Sequence, residues 1–198
     1  MGLTTFELGK LTFVNISKGR LYTKEKEKEP QYFKDISGYI VKTEIKMDEF
    51  KGEKVETMLF YILDDGERYC LKMRTDSGYF RALVNCLKSG DLKEKFIITP
   101  NYKEVDGKPK TTCFVKQGGE VLKHFHTKNN QGDLPEYKII TLKGKEVVDS
   151  SNQLEYWKNW LSTQQWYTPK PSELEVKPTK ETLPPDDLFE DEKDDLPF

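Results

Sequence analysis

Three short segments of the sequence place cations on one face of a predicted strand, and two of the three add an aromatic ring on the same face. Side chains of a β-strand alternate between its two faces, so residues two positions apart point to the same side. Cations neutralise phosphates, and exposed rings stack on unpaired bases at about 1–3 kcal/mol per base. The pattern is therefore typical of a surface that binds single-stranded nucleic acid. The candidate residues are Arg20 and Tyr22 in the first segment, Arg68, Lys72 and Arg74 in the second, and Lys110, Phe114 and Lys116 in the third.

These segments also have a purely structural interpretation. Arg68, Lys72 and Arg74 lie opposite an apolar set, as on the solvated side of any half-buried sheet. Phe114 could fill the interior of a barrel instead of facing solvent. Because three separate segments repeat the combination of cations with a ring or a small side chain, we favour the binding interpretation for all eight residues.

The residue types that support catalysis or metal binding form no recognisable site. The two histidines, His124 and His126, lie two positions apart, and a zinc site needs at least one more well-spaced ligand. The cysteines Cys70, Cys86 and Cys113 form neither a CxxC pair nor a disulfide framework, which predicts reduced, buried thiols in a cytosolic protein. No glycine-rich phosphate loop, GxSxG or HExxH motif occurs. We therefore expect no enzyme activity, metal or cofactor. The alternative hypothesis is an enzyme, such as a nuclease with an unrecognised site, and a DNA-cleavage assay would test it.

The elements that must position the candidate residues follow the order strand, strand, strand, helix, strand, strand. The strands alternate apolar and polar residues, and the helix has apolar residues at i, i+3, i+4 and i+7. This order predicts a mainly β chain with an OB-fold, a five-stranded Greek-key barrel with a helix between strands 3 and 4. An SH3-like barrel or a split sheet fits less well, because neither expects a full helix there. The predicted elements are strands at Gly38–Met47, Lys54–Leu63, Glu67–Arg74, Glu94–Glu104 and Lys110–Lys116, and a helix at Ser77–Lys88.

Further elements flank this unit. We expect one or two extra strands within Leu11–Thr23, a solvated loop at Lys24–Glu29 and a strand or hairpin at Tyr137–Val148. A final amphipathic helix is predicted from Ser151 to about Gln164, with Ser150 and Gln153 at capping-box spacing. Its apolar stripe packs against the barrel in one interpretation. In the other it forms a surface for a partner protein or for self-association, and self-association would make the chain a homo-oligomer. The stripe consists of Leu154, Trp157 and Leu161.

The last 31 residues differ in composition from the rest of the chain. Thr168–Phe198 contains ten acidic residues, four lysines and six of the ten prolines, and its net charge is −6. Residues 1–167 contain 28 basic and 24 acidic residues and carry +4. Such a segment buries too little apolar surface to offset the entropy of ordering it, which predicts a disordered tail. The domain prediction is therefore an OB-fold at 1–150, a helix at 151–167 and an acidic tail at 168–198.

Targeting and membrane signals are not expected. No run approaches the roughly 18 apolar residues of a membrane span. The first ten residues lack a basic start followed by an apolar stretch, so we predict no signal peptide. Together with the cysteine usage, this predicts a cytoplasmic protein.

The last five residues, Asp194, Asp195, Leu196, Pro197 and Phe198, resemble the C-terminal tip of bacterial single-stranded DNA-binding proteins. There, an acidic run ends in an aliphatic residue, proline and a terminal phenylalanine. An apolar pocket beside a basic residue can hold the ring and the carboxylate of such an end together. The barrel sequence differs from the bacterial pattern, so the chain looks more like a divergent, phage-type member of that family.

The resemblance implies a function and partners. Such proteins coat exposed single strands during replication, recombination and repair, and their tips recruit polymerases, helicases or nucleases. A phage protein of this kind would act in the cytoplasm of its bacterial host. The alternative function is an interaction protein that mimics DNA or inhibits a host complex and does not bind DNA; binding to oligo(dT) separates the two.

Overall fold

The computed structural model describes residues 10–25, 27–50, 52–142, 144–170 and residue 173. Within these ranges the chain is mainly β, as predicted, with two α-helices. The predicted acidic tail lies outside the described residues except for 168–170 and Glu173, and its tip, residues 194–198, lies outside them entirely. The elements are β1 (Leu11–Ser17), β2 (Arg20–Thr23), β3 (Gln31–Phe33), β4 (Ile36–Phe50), β5 (Glu53–Asp64), β6 (Glu67–Arg74), α1 (Gly78–Leu87), β7 (Phe96–Val105), β8 (Lys108–Gln117), β9 (Glu120–Val121), β10 (Lys138–Leu142), β11 (Lys145–Asp149) and α2 (Ser151–Ser162).

Two tight turns set the register of the main hairpins. Between β5 and β6, φ is 47° at Asp65 and 86° at Gly66; between β7 and β8, φ is 53° at Asp106 and 68° at Gly107. A two-residue turn with positive φ at both positions matches the right-handed twist of the flanking strands, and Asp-Gly adopts it readily. The sequence therefore fixes which residues of these strands face each other.

Nine strands form one sheet in the order β3-β2-β1-β6-β5-β4-β7-β8-β9. Neighbours are antiparallel except β1 and β6, which are parallel. The long strand β4 pairs with β7 through Ile36–Gly38 and then with β5 from Tyr39 onward. The register shifts between Ile40 and Lys42, and a bulge of this kind bends a strand. The two pairings thus use successive stretches of the same strand.

The described strands do not close into a barrel. Closing the predicted unit would require β6, at one of its edges, to pair with β8, at the other. Instead β1 occupies the edge of β6 through Leu11–Val14, and β9 pairs with the end of β8. The extra N-terminal strands, of which one or two were predicted within Leu11–Thr23, thus take the edge that a closed barrel would use.

Helix α1 lies against β8 and begins where the sequence predicts. The Ser77 hydroxyl accepts a hydrogen bond from the Phe80 amide, which caps the first turn. Gly78 allows close packing, because a Cβ there would stand 2.6 Å from the Thr111 carbonyl oxygen. The buried face of the helix consists of Phe80, Ala82, Leu83, Val84, Cys86 and Leu87.

Helix α2 packs onto the core through its apolar stripe. Trp157 and Leu161 are buried in the core cluster, and Leu154 packs against it. The predicted capping box is wrong: Ser150 makes no side-chain cap and instead accepts a hydrogen bond from the Arg81 guanidinium. The amide of Ser151 donates to the Asp149 carboxylate instead.

The predicted strand or hairpin at Tyr137–Val148 is a hairpin, β10–β11, that forms a separate two-stranded sheet. Ile139 faces Val148 and Ile140 faces Val147 across it, and all four side chains are exposed. Of the described helices, neither is long and apolar enough to cross a membrane.

Candidate nucleic-acid interface

The main sheet has one face that carries the core and one that faces away from it. Val14, Phe60, Leu71, Ile98 and Val115 are buried on the core side. We call the opposite side the outer face. Its residues alternate with the core residues along each strand and can be followed from strand to strand by the pairing register.

All eight predicted binding residues lie on the outer face. On β6, Leu71 and Met73 are buried in the core, so the residues that alternate with them face outward. On β2 the buried Leu21 lies between the two predicted residues, and on β8 the buried residues are Cys113 and Val115. The outward positions are Arg20 and Tyr22 on β2, Arg68, Lys72 and Arg74 on β6, and Lys110, Phe114 and Lys116 on β8.

The ring of Phe114 is available to a ligand. It is 49% exposed and faces Thr99 of β7 across the outer face, so it does not fill the interior. Lys116 lies two residues further along, opposite Ile97, and Lys110 lies opposite Lys103. The strand β8 thus presents a ring with a cation on either side.

A row of paired residues crosses four strands at the centre of the outer face. Phe13 of β1 pairs with Cys70, Cys70 with Tyr61 of β5, and Tyr61 with Lys42 of β4. The Lys42 ammonium lies 5.3 Å from the centroid of the Tyr61 ring. Cys70 is fully buried on this side of β6, and burial raises the pKa of its thiol to about 11, so the thiol adds no negative charge to the row. Arg68 and Lys72 flank this row on β6.

The six predicted cations of the outer face fall into two groups. Lys72 forms an ion pair with Asp48 at 3.4 Å, and Arg74 forms one with Asp76 at 2.5 Å. Within the part of the chain that the structure describes, the other four predicted cations form no ion pair, so they can meet a phosphate without leaving a carboxylate. These four are Arg20, Arg68, Lys110 and Lys116.

Asp48 keeps its negative charge beside this face. Burial acts to raise the pKa of its carboxyl group, but Lys72, the Thr57 hydroxyl and Lys46 together hold it below its usual value. Lys46 lies 3.6 Å from the same carboxylate. A phosphate that binds Lys72 must therefore compete with an ionised group.

Two exposed rings of the outer face were not among the predicted residues. Phe13 of β1 is 52% exposed, and Tyr32 of β3 is 53% exposed and pairs with Tyr22. The alternation of Phe13 with the apolar Val14 in the sequence could have predicted that Phe13 faces away from the core. No comparable signal exists for Tyr32, because a three-residue strand after a charged loop has too few positions to show alternation.

The segment after α2 crosses the outer face at the start of β4. The Tyr167 ring stacks on Tyr39 with centroids 4.1 Å apart, and its amide donates to the Ile40 carbonyl oxygen at 3.3 Å. Pro169 then lines a small cavity together with Arg68. The predicted acidic tail therefore begins next to Arg68, a residue that is predicted to bind phosphate.

A larger cavity, of about 860 Å³, lies beneath β1–β3 and the start of β4. Leu21, Phe33 and Tyr69 contribute apolar surface, and Lys10 and Lys28 lie among its other lining residues. None of the eight predicted residues lines it. The predicted residues therefore lie on an open face, except that Arg68 lines the small cavity beside Pro169; the unpredicted ring of Phe13 lines the larger cavity.

The two histidines do not share a face. They lie in the loop after β9, where His124 is exposed and His126 is buried next to Tyr156 and Lys88. Burial and the neighbouring Lys88 ammonium lower the pKa of His126. Among the described residues no group of three or more potential metal ligands occurs.

Comparisons with known proteins return no relatives. A scan against protein-family models, a search of curated proteins and a search of solved structures each found no match to this chain.

Proposed function

We propose that the chain binds single-stranded DNA on its outer face, with little sequence preference, and protects exposed strands during replication, recombination and repair. One observation carries the proposal: three segments that are distant in sequence supply six cations and two rings to the same face of one sheet. A solvated sheet face needs polar residues, but it does not need exposed rings between unpaired cations.

The chemistry of this face favours unpaired strands of any sequence. Arginine and lysine attract phosphates irrespective of the base. An exposed ring such as Phe114 stacks on any base that is not already paired, because every base has a π-face. A duplex hides those faces, so the rings favour single strands.

We propose further that β4 to β8, with α1, are a partly open OB-fold. Two features support this assignment: β4 pairs with both β5 and β7, and the helix stands between the third and fourth strands of the unit. OB-folds bind oligonucleotides on the face of strands 2 and 3, which are β5 and β6 here. Arg68, Lys72 and Arg74 belong to that face.

The acidic tail has two proposed roles. Its tip, Asp194–Phe198, recruits a polymerase, helicase or nuclease, as its resemblance to bacterial single-stranded DNA-binding proteins implies. The remainder competes with DNA for the outer face, which is supported by the opposite net charges of tail and body and by the contact of Tyr167 with Tyr39. We place this protein, as a phage product, in the cytoplasm of its bacterial host.

Charge reversal on the outer face tests the proposal. The variant Arg68→Glu replaces an unpaired cation by a repelling anion and should weaken the binding of a fluorescein-labelled oligo(dT) at least tenfold in dilute buffer. The control is Lys128→Glu, which makes the same change of charge in the exposed loop before β10. Equal effects of the two variants would show that only total charge matters and would contradict binding at this face. No binding by the unaltered chain would favour the interaction protein that mimics DNA.

A further inference from the structure

We infer that β1–β3 form a second stacking subsite, which extends the path of the DNA strand beyond the OB-fold unit. The subsite consists of Phe13, Tyr22 and Tyr32, one ring from each strand. The inference rests on the proposed function, and it adds a place where further bases bind.

The three rings lie on the outer face, on neighbouring strands. Tyr22 pairs directly with Tyr32, and their ring centroids are 6.0 Å apart with planes at 43°. Tyr22 also pairs with Asn15, and Phe13 precedes Asn15 by two residues, so Phe13 projects on the same side. The rings therefore follow the sheet from β3 to β1.

The rings are not needed to fill the core. Phe13 and Tyr32 are each about half exposed, whereas Val14, which follows Phe13, and Leu21, which precedes Tyr22, are buried on the opposite face. Surface positions of a short edge strand are usually polar, because exposed rings at an edge favour association with other chains. A stack of unpaired bases would cover these rings.

Cations connect this subsite to the rest of the interface. Phe13 pairs with Cys70 of β6, between Arg68 and Lys72 on the same strand. Arg20 stands two residues before Tyr22 on β2. A strand that stacks a base on Tyr61 could thus continue past Arg68 and Lys72 to Phe13 and then to the paired tyrosines, with a cation near each step.

The test measures affinity against oligonucleotide length with the full chain. Labelled oligo(dT) of lengths from about 4 to well above 16 nucleotides covers the range that OB-folds bind. Phe13→Ala and Tyr32→Ala should each lose about 5- to 150-fold in affinity for the long oligonucleotides, since each removes one stacking partner. The short oligonucleotides, which are held on β5 and β6, should bind as before.

Two controls separate stacking from damage to the fold. Phe33→Ala removes a ring of similar exposure from the same short strand but on the opposite face, and it should leave affinity unchanged at every length. Tyr32→Phe keeps the ring and should retain full affinity.

Different outcomes overturn different claims. If the unaltered chain binds oligo(dT) and the Phe13 and Tyr32 variants match it at all lengths, the subsite is refuted and the proposed function stands. An equal loss at all lengths would also refute the subsite, because it would not extend the path. If the unaltered chain binds no oligonucleotide, the proposed function itself fails.

Discussion

The four predicted binding residues of the outer face that are cations without an ion pair among the described residues predict how DNA binding depends on salt. For single strands, log affinity falls against log salt concentration with a slope of about −0.7 for each phosphate neutralised. Contacts from Arg20, Arg68, Lys110 and Lys116 alone therefore predict a slope near −2.8. Removing one of them, as in Arg68→Ala, should reduce the slope to about −2.1 and weaken binding uniformly across sequences.

The ion pair between Lys72 and Asp48 predicts a change in the opposite direction, a steeper salt dependence, when Asp48 is neutralised. Asp48 lies within 3.4 Å of Lys72 and 3.6 Å of Lys46, so Asp48→Asn removes the competing anion and releases two cations. The variant should bind more tightly at low salt, and its slope should steepen by up to about 1.4 if both lysines then meet phosphates. A gain in affinity larger than the change of one unit in net charge produces elsewhere on the chain is expected only if DNA passes near that carboxylate.

The assay is fluorescence anisotropy with a labelled oligo(dT) at four or more salt concentrations. Lys128→Ala serves as the control for a lysine away from the outer face and should leave the slope unchanged. A slope that is the same for the unaltered chain, Arg68→Ala and Asp48→Asn would refute the reasoning, because the predicted cations would then release no counterions.

Three other predictions concern the tail, α2 and pH. Removing residues 174–198, which carry a net charge of −6, should strengthen oligo(dT) binding at low salt and have little effect at high salt; unchanged or weaker binding would contradict competition by the tail. Leu161→Ala should lower the free energy of unfolding by about 2–5 kcal/mol, measured by urea denaturation, because it empties a buried site under α2; a loss below 1 kcal/mol would contradict that packing. His126 has a lowered pKa in the folded chain, so the unfolded chain takes up its proton first and stability should fall as pH drops below about 6.5. Thermal unfolding between about pH 8 and pH 5 should show a smaller fall for His126→Gln, and parallel curves would contradict the assignment.

Local signals in the sequence predicted the strands and turns of β4 to β8. Clean alternation around Leu71 and Met73 placed Arg68 and Lys72 on the side away from the core, where the structure has them. The Asp-Gly turns fixed the hairpins because both turn positions need positive φ. Period and turn chemistry are properties of a few neighbouring residues, and a sequence shows them directly.

Pairings between distant strands could not be obtained in the same way. The parallel contact of β1 with β6 joins Leu11–Val14 to residues more than fifty positions away, and neither strand carries a mark that selects the other. This contact leaves the described sheet open where a closed barrel was expected. It also brings Phe13 next to Cys70, which makes an isolated ring part of the candidate interface.

Competition between partners explains the wrong capping box. Ser150 and Gln153 have the required spacing, but Arg81 and the Pro135 carbonyl oxygen take up their side chains. Both partners come from other parts of the fold, so local spacing does not reveal them. Tertiary hydrogen bonds replaced a local motif without changing where the helix begins.

The central claim is that the outer face holds single-stranded DNA, and one titration tests it most directly. The full chain is added to a labelled oligo(dT) in dilute buffer, alone and with Arg68 and Lys116 both changed to glutamate. We predict saturable binding by the unaltered chain and a loss of at least a hundredfold for the double variant, which folds with the same thermal midpoint within a few degrees. Equal affinity of the two proteins, or no binding by the unaltered chain, would contradict the claim.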